Sequence, residues 1–245
     1  MTLWIAILAA GSGYLAGSIP FAILVMRVFG RGQTLKETAL HVRGTNDVLH
    51  SAAVSATAVR LQLGSRYGCL TSILDMAKAA IVTLAFRIAY PDAPYFLIAS
   101  GLAVVGHIWP IFHGFRGGRG QSPVIGSLFV VDWPTPLIAY PLAQVFGLAT
   151  RSRAFVGRFA PTLIASAWLY GRFRDLSVVY YGLGLFVVRT LAMRDEIRQY
   201  VRIRRSGGLR SLTDEVALMG YGEMLQSFAR CLRRLWGRIS GRRVG

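Results

Sequence analysis

The residues best suited to chemistry form one short loop between apolar segments. The loop consists of Arg116, Gly117, Gly118, Arg119 and Gly120. Glycines leave backbone N–H groups accessible, and the arginine guanidinium presents a planar fork of donors that matches phosphate. Ser122 and Pro123 follow, and this pair predicts that a helix starts here, with Ser122 as its cap and Pro123 as its first residue. The segment therefore predicts a binding site for phosphate or another oxyanion.

Other ionisable residues lie within the apolar segments themselves. Asp75 and Lys78 share a helical face, which predicts either a buried ion pair or a contact with substrate. His107 and His113 are six residues apart and do not share a face, so a metal site is not expected. His107 is expected to be hydrogen-bonded in the core, whereas His113 is a candidate general base. Neither cysteine has partners for a metal site, and no cofactor is expected.

The composition places these residues in a membrane protein. Of the 245 residues, 53% are apolar and only 16% are charged, which is typical of the membrane class. Hydropathy predicts spans at 3–29, 68–90, 95–113, 122–131, 135–150, 159–171 and 176–191. We therefore expect an all-α, polytopic membrane helix bundle of about seven spans, some of them short or broken. Gly17, Ser18, Ile19 and Pro20 are expected to bend or break the first span.

The net charge of +17 has two candidate explanations, nucleic-acid binding and membrane topology. Arginines cluster in the loops at 27–67, 114–121 and 151–158, whereas the loop at 89–95 has neither lysine nor arginine. The positive-inside rule then places the amino terminus outside and the carboxy terminus in the cytoplasm. Topology explains most of the charge, so nucleic acid is not an expected partner.

The carboxy-terminal part of the chain is a separate basic segment. We divide the sequence into a membrane domain at 1–193 and a cytoplasmic tail at 194–245. Apolar residues recur at helical spacing against arginines over 224–239, which predicts a basic amphipathic helix. This helix is expected either to pack on the cytoplasmic face of the protein or to bind anionic membrane lipid.

Three segments occur in an order that is typical of one protein family: GSIPF at 17–21, LDMAK at 74–78 and GHIWPIFHGFRGGRG at 106–120. With them, about residues 10–150 resemble the bacterial acyl-phosphate glycerol-3-phosphate acyltransferases. The resemblance implies a multi-pass protein of the bacterial inner membrane whose active site lies in cytoplasmic loops. It also implies transfer of an acyl chain from acyl phosphate to the first hydroxyl of glycerol 3-phosphate, giving lysophosphatidic acid and phosphate. Ser18, in the first segment, is then expected to contact substrate.

The resemblance is weaker in the loop that binds phosphate in this family. The family motif there is Gly-Ser-Gly-Asn-x-Gly-Ala-Thr-Asn-x-x-Arg. The chain has two partial matches, RGTND at 43–47 and SATAVRLQLG at 55–64. The substrate-binding residues that they offer are Arg43, Thr45 and Asn46 in the first, and Thr57 and Arg60 in the second. Both matches remain candidates.

Two departures from the family pattern bear on activity. Arg116 and Arg119 stand where the family usually has lysine, which keeps the charge. The family's last motif has a histidine before Asn-Ile and an arginine, whereas this chain keeps Asp195 and Ile197 without a histidine. The resemblance implies an acyltransferase in which these two arginines stabilise charge, and in which His113 or the phosphate of a substrate accepts the proton. The alternatives are a phosphate-binding protein without turnover and, third, a transporter.

Overall fold

The computed structural model describes residues 2–41, 48–150 and 153–205. The amphipathic helix predicted at 224–239 lies outside these residues, as do Arg43, Thr45 and Asn46. The helices are α1 (Leu3–Gly17), α2 (Phe21–Phe29), α3 (Ala56–Leu63), α4 (Ser65–Ala89), α5 (Tyr95–Ile108), α6 (Gln121–Val131), α7 (Pro134–Ala149), α8 (Arg153–Phe173), α9 (Leu176–Ala192) and α10 (Arg194–Arg205). A short antiparallel hairpin joins β1 (Thr38–His41) to β2 (Val48–Ser51). The predicted helical bundle is confirmed, with this hairpin as an addition.

The first span is broken, as its sequence predicts. α1 ends at Gly17 and α2 begins at Phe21, with Pro20 between them. Proline has no N–H for the helix ladder, so carbonyl groups near the break need other partners. Lys78 donates to the carbonyl oxygen of Ile19 at 2.7 Å. The Ser18 hydroxyl donates at 2.8 Å to the carbonyl oxygen of Tyr14, which also accepts from the Ser18 N–H.

Small residues allow the first and fifth helices to pack closely. Gly13 and Gly17 of α1 lie against Ala99 and Ala103 of α5. A Cβ atom at Gly17 would lie 2.1 Å from the carbonyl oxygen of Ala103, and one at Gly13 would lie 2.3 Å from that of Ala99. Such small-xxx-small pairs bring two backbones together inside a membrane, where packing rather than water exclusion drives association.

Three helical segments are long and apolar enough to cross a membrane within the described part of the chain: Leu3–Phe29, Ser65–Ala89 and Tyr95–His113. α9 and α10 would count as a fourth span if taken together, although they are bent by 68°. Large apolar side chains are exposed along these helices, among them Trp4 at 77% and Ile81 at 67%. Exposed apolar stripes of this kind are expected where lipid surrounds a protein.

Two parts of the chain that were predicted as a loop and as a tail contain regular secondary structure packed on the membrane domain. The stretch before the second span contains the hairpin and α3, and α3 packs so closely on α4 that a Cβ at Gly68 would lie 2.4 Å from the Cβ of Arg60. The first residues of the predicted tail form α10, which is hydrogen-bonded to β2: Gln199 accepts from the N–H of His50 at 2.9 Å and donates to its carbonyl oxygen at 3.1 Å.

Candidate active site

A cavity of about 290 Å³ lies where the basic segments meet. Residues of α3, α4, α6, α7 and α8 line it. Its arginines are Arg60, Arg119 and Arg158. Its other polar lining includes Ser55, Thr57, Ser65, Ser72, Gln121, Ser122 and Gln144. Asp75 is also part of the lining, but the three arginines outnumber it, so the charges favour an anion over a cation.

Arg119 is held by a carboxylate and a hydroxyl group. Its Nε donates to Oε1 of Glu196 at 2.7 Å, and its Nη2 donates to the Ser51 hydroxyl at 2.8 Å. Nη1 of Arg158 contacts the second carboxylate oxygen of Glu196 at 3.3 Å. The side chains of Arg119 and Glu196 are only 15% and 11% exposed. One carboxylate from α10 therefore bridges two arginines of the cavity.

A buried arginine, Arg189, is hydrogen-bonded to the loop that carries Arg119. The Arg189 side chain is fully buried at the end of α9. Its Nε donates to the carbonyl oxygen of Arg119 at 3.4 Å, and its Nη2 donates to the side-chain oxygen of Gln121 at 3.2 Å. Arg189 thereby ties the last span to the loop and to the first residue of α6.

The start of α6 differs from its predicted position. The helix begins at Gln121, and Gly120 is the N-cap residue with φ at +75°. Ser122 lies in the first turn and lines the cavity, so the prediction that it starts the helix is wrong. No side chain caps this turn. The positive φ, which favours glycine, lets the loop enter the helix with its amino end towards the cavity.

Gly117 and Gly118 hold the loop against its neighbours. The N–H of Gly118 donates to the carbonyl oxygen of His107 at 3.0 Å, and the carbonyl oxygen of Gly117 accepts from Val54 at 2.9 Å. A Cβ at Gly118 would lie 2.2 Å from Nε2 of His107. These two glycines line a small adjoining cavity rather than the main one. Their first effect is thus to allow close packing of the loop.

Asp75, Lys78 and His107 form a buried group, and Asp75 and His107 also line the cavity. Nζ of Lys78 is 2.8 Å from Oδ1 of Asp75, and Nδ1 of His107 is 3.4 Å from the same oxygen. All three side chains are less than 10% exposed. The predicted buried ion pair is confirmed. The pair joins α4 to the break between α1 and α2 through the bond from Lys78 to Ile19.

Several predicted site residues lie away from the main cavity. Arg116 is exposed, and His113 ends a short 3₁₀ turn; neither side chain lines the cavity. Ser18 is fully buried at the helix break, where its Oγ lies 3.4 Å from the N–H of Ile111. Of the two candidate acceptor arginines, Arg60 lines the cavity with Arg119, and Arg43 lies outside the described residues.

The structure also adds residues that the sequence reasoning missed: Ser51, Arg158, Arg189 and Glu196. One signal was present for Arg189, because an arginine inside an apolar span is costly unless it has a specific role. Among the described residues, no three His, Cys, Asp or Glu side chains are grouped so that they could hold a metal ion.

Comparisons with known proteins identify the family of this chain. A family model described as glycerol-3-phosphate acyltransferase matches residues 6–202. A glycerol-3-phosphate acyltransferase of Maricaulis maris is 32% identical over 171 residues, which cover 68% of this chain and 73% of the relative. One from Myxococcus xanthus is 33% identical over 76% of this chain and 95% of the relative. The match to one from Cereibacter sphaeroides strain ATCC 17029, at 36% identity, spans 61% of that relative.

Two solved structures share the fold. The crystal structure of PlsY, an integral membrane glycerol 3-phosphate acyltransferase, in its glycerol 3-phosphate form superposes with a TM-score of 0.67. It is 24% identical, and the match covers 81% of this chain and 93% of that one. The lysophosphatidic acid form of the same protein gives a TM-score of 0.65. Because the family model spans most of the sequence and the fold is that of an integral membrane protein, this chain belongs to the glycerol-3-phosphate acyltransferase family and is a membrane acyltransferase.

Proposed function

We propose that this chain transfers an acyl group from acyl phosphate to the first hydroxyl of glycerol 3-phosphate. The products are lysophosphatidic acid and inorganic phosphate. The observation that carries the proposal is the meeting of Arg60, Arg119 and Arg158 at one cavity, because both substrates bring a phosphate group. The solved structures with the same fold were obtained in a glycerol 3-phosphate form and in a lysophosphatidic acid form, which supports this choice of acceptor and product.

The chemistry asks mainly for positioning. Acyl phosphate is a mixed anhydride, so its carbonyl carbon is already activated and phosphate is a good leaving group. The acceptor oxygen attacks that carbon, the bond from carbon to the phosphate oxygen breaks, and phosphate leaves with the electron pair. The phosphate of a substrate accepts the hydroxyl proton, so no protein nucleophile is needed. Orientation of the two substrates and stabilisation of the developing charge then supply the rate.

In this proposal each substrate phosphate has its own arginine. Arg119 and the first turn of α6, including Ser122, bind the phosphate of the donor. Arg60, with Thr57 from the same helix, binds the phosphate of glycerol 3-phosphate. Gly120 permits the entry into α6, and Gly117 and Gly118 hold the loop in place. Arg116 and His113 lie outside the cavity lining and have no part in this assignment.

The acyl chain and the membrane fit the same arrangement. Met76 and Ile125 line the cavity from α4 and α6, so its apolar side faces into the helical bundle. We place the cavity at the cytoplasmic face of a bacterial inner membrane, with the amino terminus outside. The acyl chain then stays among helices and lipid while its phosphate reaches the arginines.

A second function, binding of a phosphorylated headgroup without turnover, is favoured by one observation. Arg119 is bonded to Glu196, and the segment that carries Glu196 lacks the histidine that the resemblance leads us to expect. The experiment below separates the two functions.

Turnover by the purified protein in lipid nanodiscs decides between them. The protein is incubated with acyl phosphate and glycerol 3-phosphate, and phosphate release and lysophosphatidic acid are measured. Arg119→Ala is expected to lower turnover by about a hundredfold or more, because it removes a donor aimed at developing charge. Arg119→Lys is expected to keep part of it, because lysine retains the charge without the fork.

Arg198→Ala is the matched control, because Arg198 is 76% exposed on α10 and its ion-pair partner in the described part of the chain is the exposed Asp195. Its turnover is expected to equal that of the parent. Binding of both substrates without release of phosphate would select the second function. Full turnover by Arg119→Ala would remove the loop from the mechanism.

A further inference from the structure

The Glu196 carboxylate is the feature of the cavity that the reaction does not explain. Acyl transfer to glycerol 3-phosphate involves two anionic substrates, so a protein carboxylate at the arginines opposes their binding. Even so, Oε1 of Glu196 is 2.7 Å from Nε of Arg119, and Oε2 is 3.3 Å from Nη1 of Arg158. Ser51 donates its hydroxyl to Oε1 at 2.7 Å.

This contact has the form of substrate binding. A carboxylate that accepts bonds from guanidinium groups uses the same donors, at the same distances, as a phosphate oxygen does. Arg119 offers Nε and Nη2 on this side, and these atoms contact Glu196 and Ser51. A phosphate that binds this edge of Arg119 with two bonds must therefore displace Glu196 from Nε and Ser51 from Nη2.

We propose that Glu196 is an internal competitor that sets the affinity of the cavity for substrate phosphate. It holds Arg119 and Arg158 in place, and the incoming phosphate replaces it at Arg119. This inference rests on the proposed function, since it takes Arg119 as the phosphate-binding group. Glu196 is thus a residue that positions arginines and tunes affinity, and it does not touch the reacting atoms.

The position of Glu196 is fixed by the fold. It lies in the first turn of α10, directly after the bend of 68° from α9. One turn further on, Gln199 forms two hydrogen bonds with the backbone of His50, and Ser51 bonds Glu196 itself. The hairpin and α10 therefore hold the carboxylate at the arginines.

Competition predicts a combination of effects that simple structural support does not. Glu196→Gln removes the charge, so the neighbouring arginines lose a stabilising partner and the melting temperature falls. The same change frees Arg119 for inorganic phosphate, so the dissociation constant is expected to fall about tenfold or more, the effect of losing one charge-assisted bond. If Glu196 only supported the fold, stability and phosphate affinity would fall together.

The test is titration calorimetry of the protein in nanodiscs with inorganic phosphate. Asp195→Asn is the matched control, because Asp195 is the adjacent carboxylate, is 70% exposed and pairs with the exposed Arg194 and Arg198. It is expected to bind phosphate like the parent. Ser51→Ala, which keeps every charge, is expected to lower the dissociation constant by a smaller factor. It provides the answer if Glu196→Gln does not fold.

Three results bear on the proposal. Tighter phosphate binding by Glu196→Gln or by Ser51→Ala, with Asp195→Asn unchanged, supports it. Unchanged or weaker binding by both variants overturns it while leaving the proposed function intact. If Arg119→Ala binds phosphate as tightly as the parent, the phosphate site itself is misplaced, and both the proposed function and this inference fail.

Discussion

Arg60 and Arg119 are expected to bind different substrates in the same cavity. Arg60 lines the same cavity as Arg119 but comes from α3, a different element. If it binds the acceptor, Arg60→Gln should raise KM for glycerol 3-phosphate by about tenfold or more, since bonds to charged groups are among the stronger polar contacts. KM for acyl phosphate should change much less. Initial rates at varied concentrations of each substrate measure both constants.

Arg66→Gln is the comparison for this variant, because Arg66 is exposed in the first turn of α4, next to α3. It is expected to leave both constants unchanged. If Arg60→Gln raised KM for acyl phosphate alone, Arg60 would bind the phosphate of the donor and Arg119 that of the acceptor, contrary to the assignment proposed above.

The pair of Asp75 and Lys78 serves stability at the residue scale. Both side chains are almost fully buried, and Lys78 also bonds the freed carbonyl of Ile19. Lys78→Met leaves a buried carboxylate without its cation, which typically costs about 3–5 kcal/mol. The double variant Asp75→Asn with Lys78→Met should recover part of that loss. Thermal unfolding in detergent compares them, and equal losses in the two proteins would contradict a pair that acts through charge.

The sequence identifies some of these residues and not others, for a physical reason. Arg119 is visible because it stands among glycines in one continuous loop. Glu196 reaches it across 77 positions, and Ser51 across 68, so no local pattern marks either contact. The sequence alone could not choose between Arg60 and Arg43 as the acceptor-binding arginine, because the position of Arg60 depends on how α3 packs on α4.

At the scale of elements, the contact of α1 with α5 depends on the absence of side chains. Gly17→Ala would place a methyl group 2.1 Å from a backbone oxygen of Ala103, so the helices must separate. Overpacking of this kind typically costs about 1–3 kcal/mol. We expect a clearly lower melting temperature. Gly11→Ala is the control in the same helix, because a Cβ there meets nothing within 4 Å; equal melting temperatures for the two variants would argue against the close contact.

Hydropathy predicts the long elements better than the short ones. Each predicted span corresponds to one helix or to a pair of helices, and the break at Pro20 lies where expected. α3, the hairpin and α10 were not predicted as such. These elements are short or polar, and they are held by contacts with other elements: α3 by its close approach to α4, and α10 by its bonds to β2. Ile197, Tyr200 and Val201 of α10 do recur at helical spacing, so that helix could have been found from the sequence. The short α3 and the hairpin depend on tertiary contacts that leave little periodic signal.

The whole molecule has two chemically different ends. Hydrogen bonds tie β2, the loop before α6 and α10 together at one end, where Arg60, Arg119 and Arg158 lie. At the other end, Tyr95 contacts the backbone of Thr2, and Arg172 contacts Asp132 at 3.1 Å. The turn between α4 and α5, which carries Asp92, belongs to that second end. The positive-inside rule assigns the basic end to the cytoplasm.

This orientation can be tested in intact cells with a maleimide that does not cross membranes. Asp92→Cys and Glu37→Cys are made separately in a background in which Cys69 and Cys231 are replaced by serine; both positions are exposed, at opposite ends. Asp92→Cys should react from outside, and Glu37→Cys only after the membrane is permeabilised, because they are separated by one crossing of α4. The reverse pattern would put the arginine cavity on the outer side of the membrane and would overturn the proposed cytoplasmic active site.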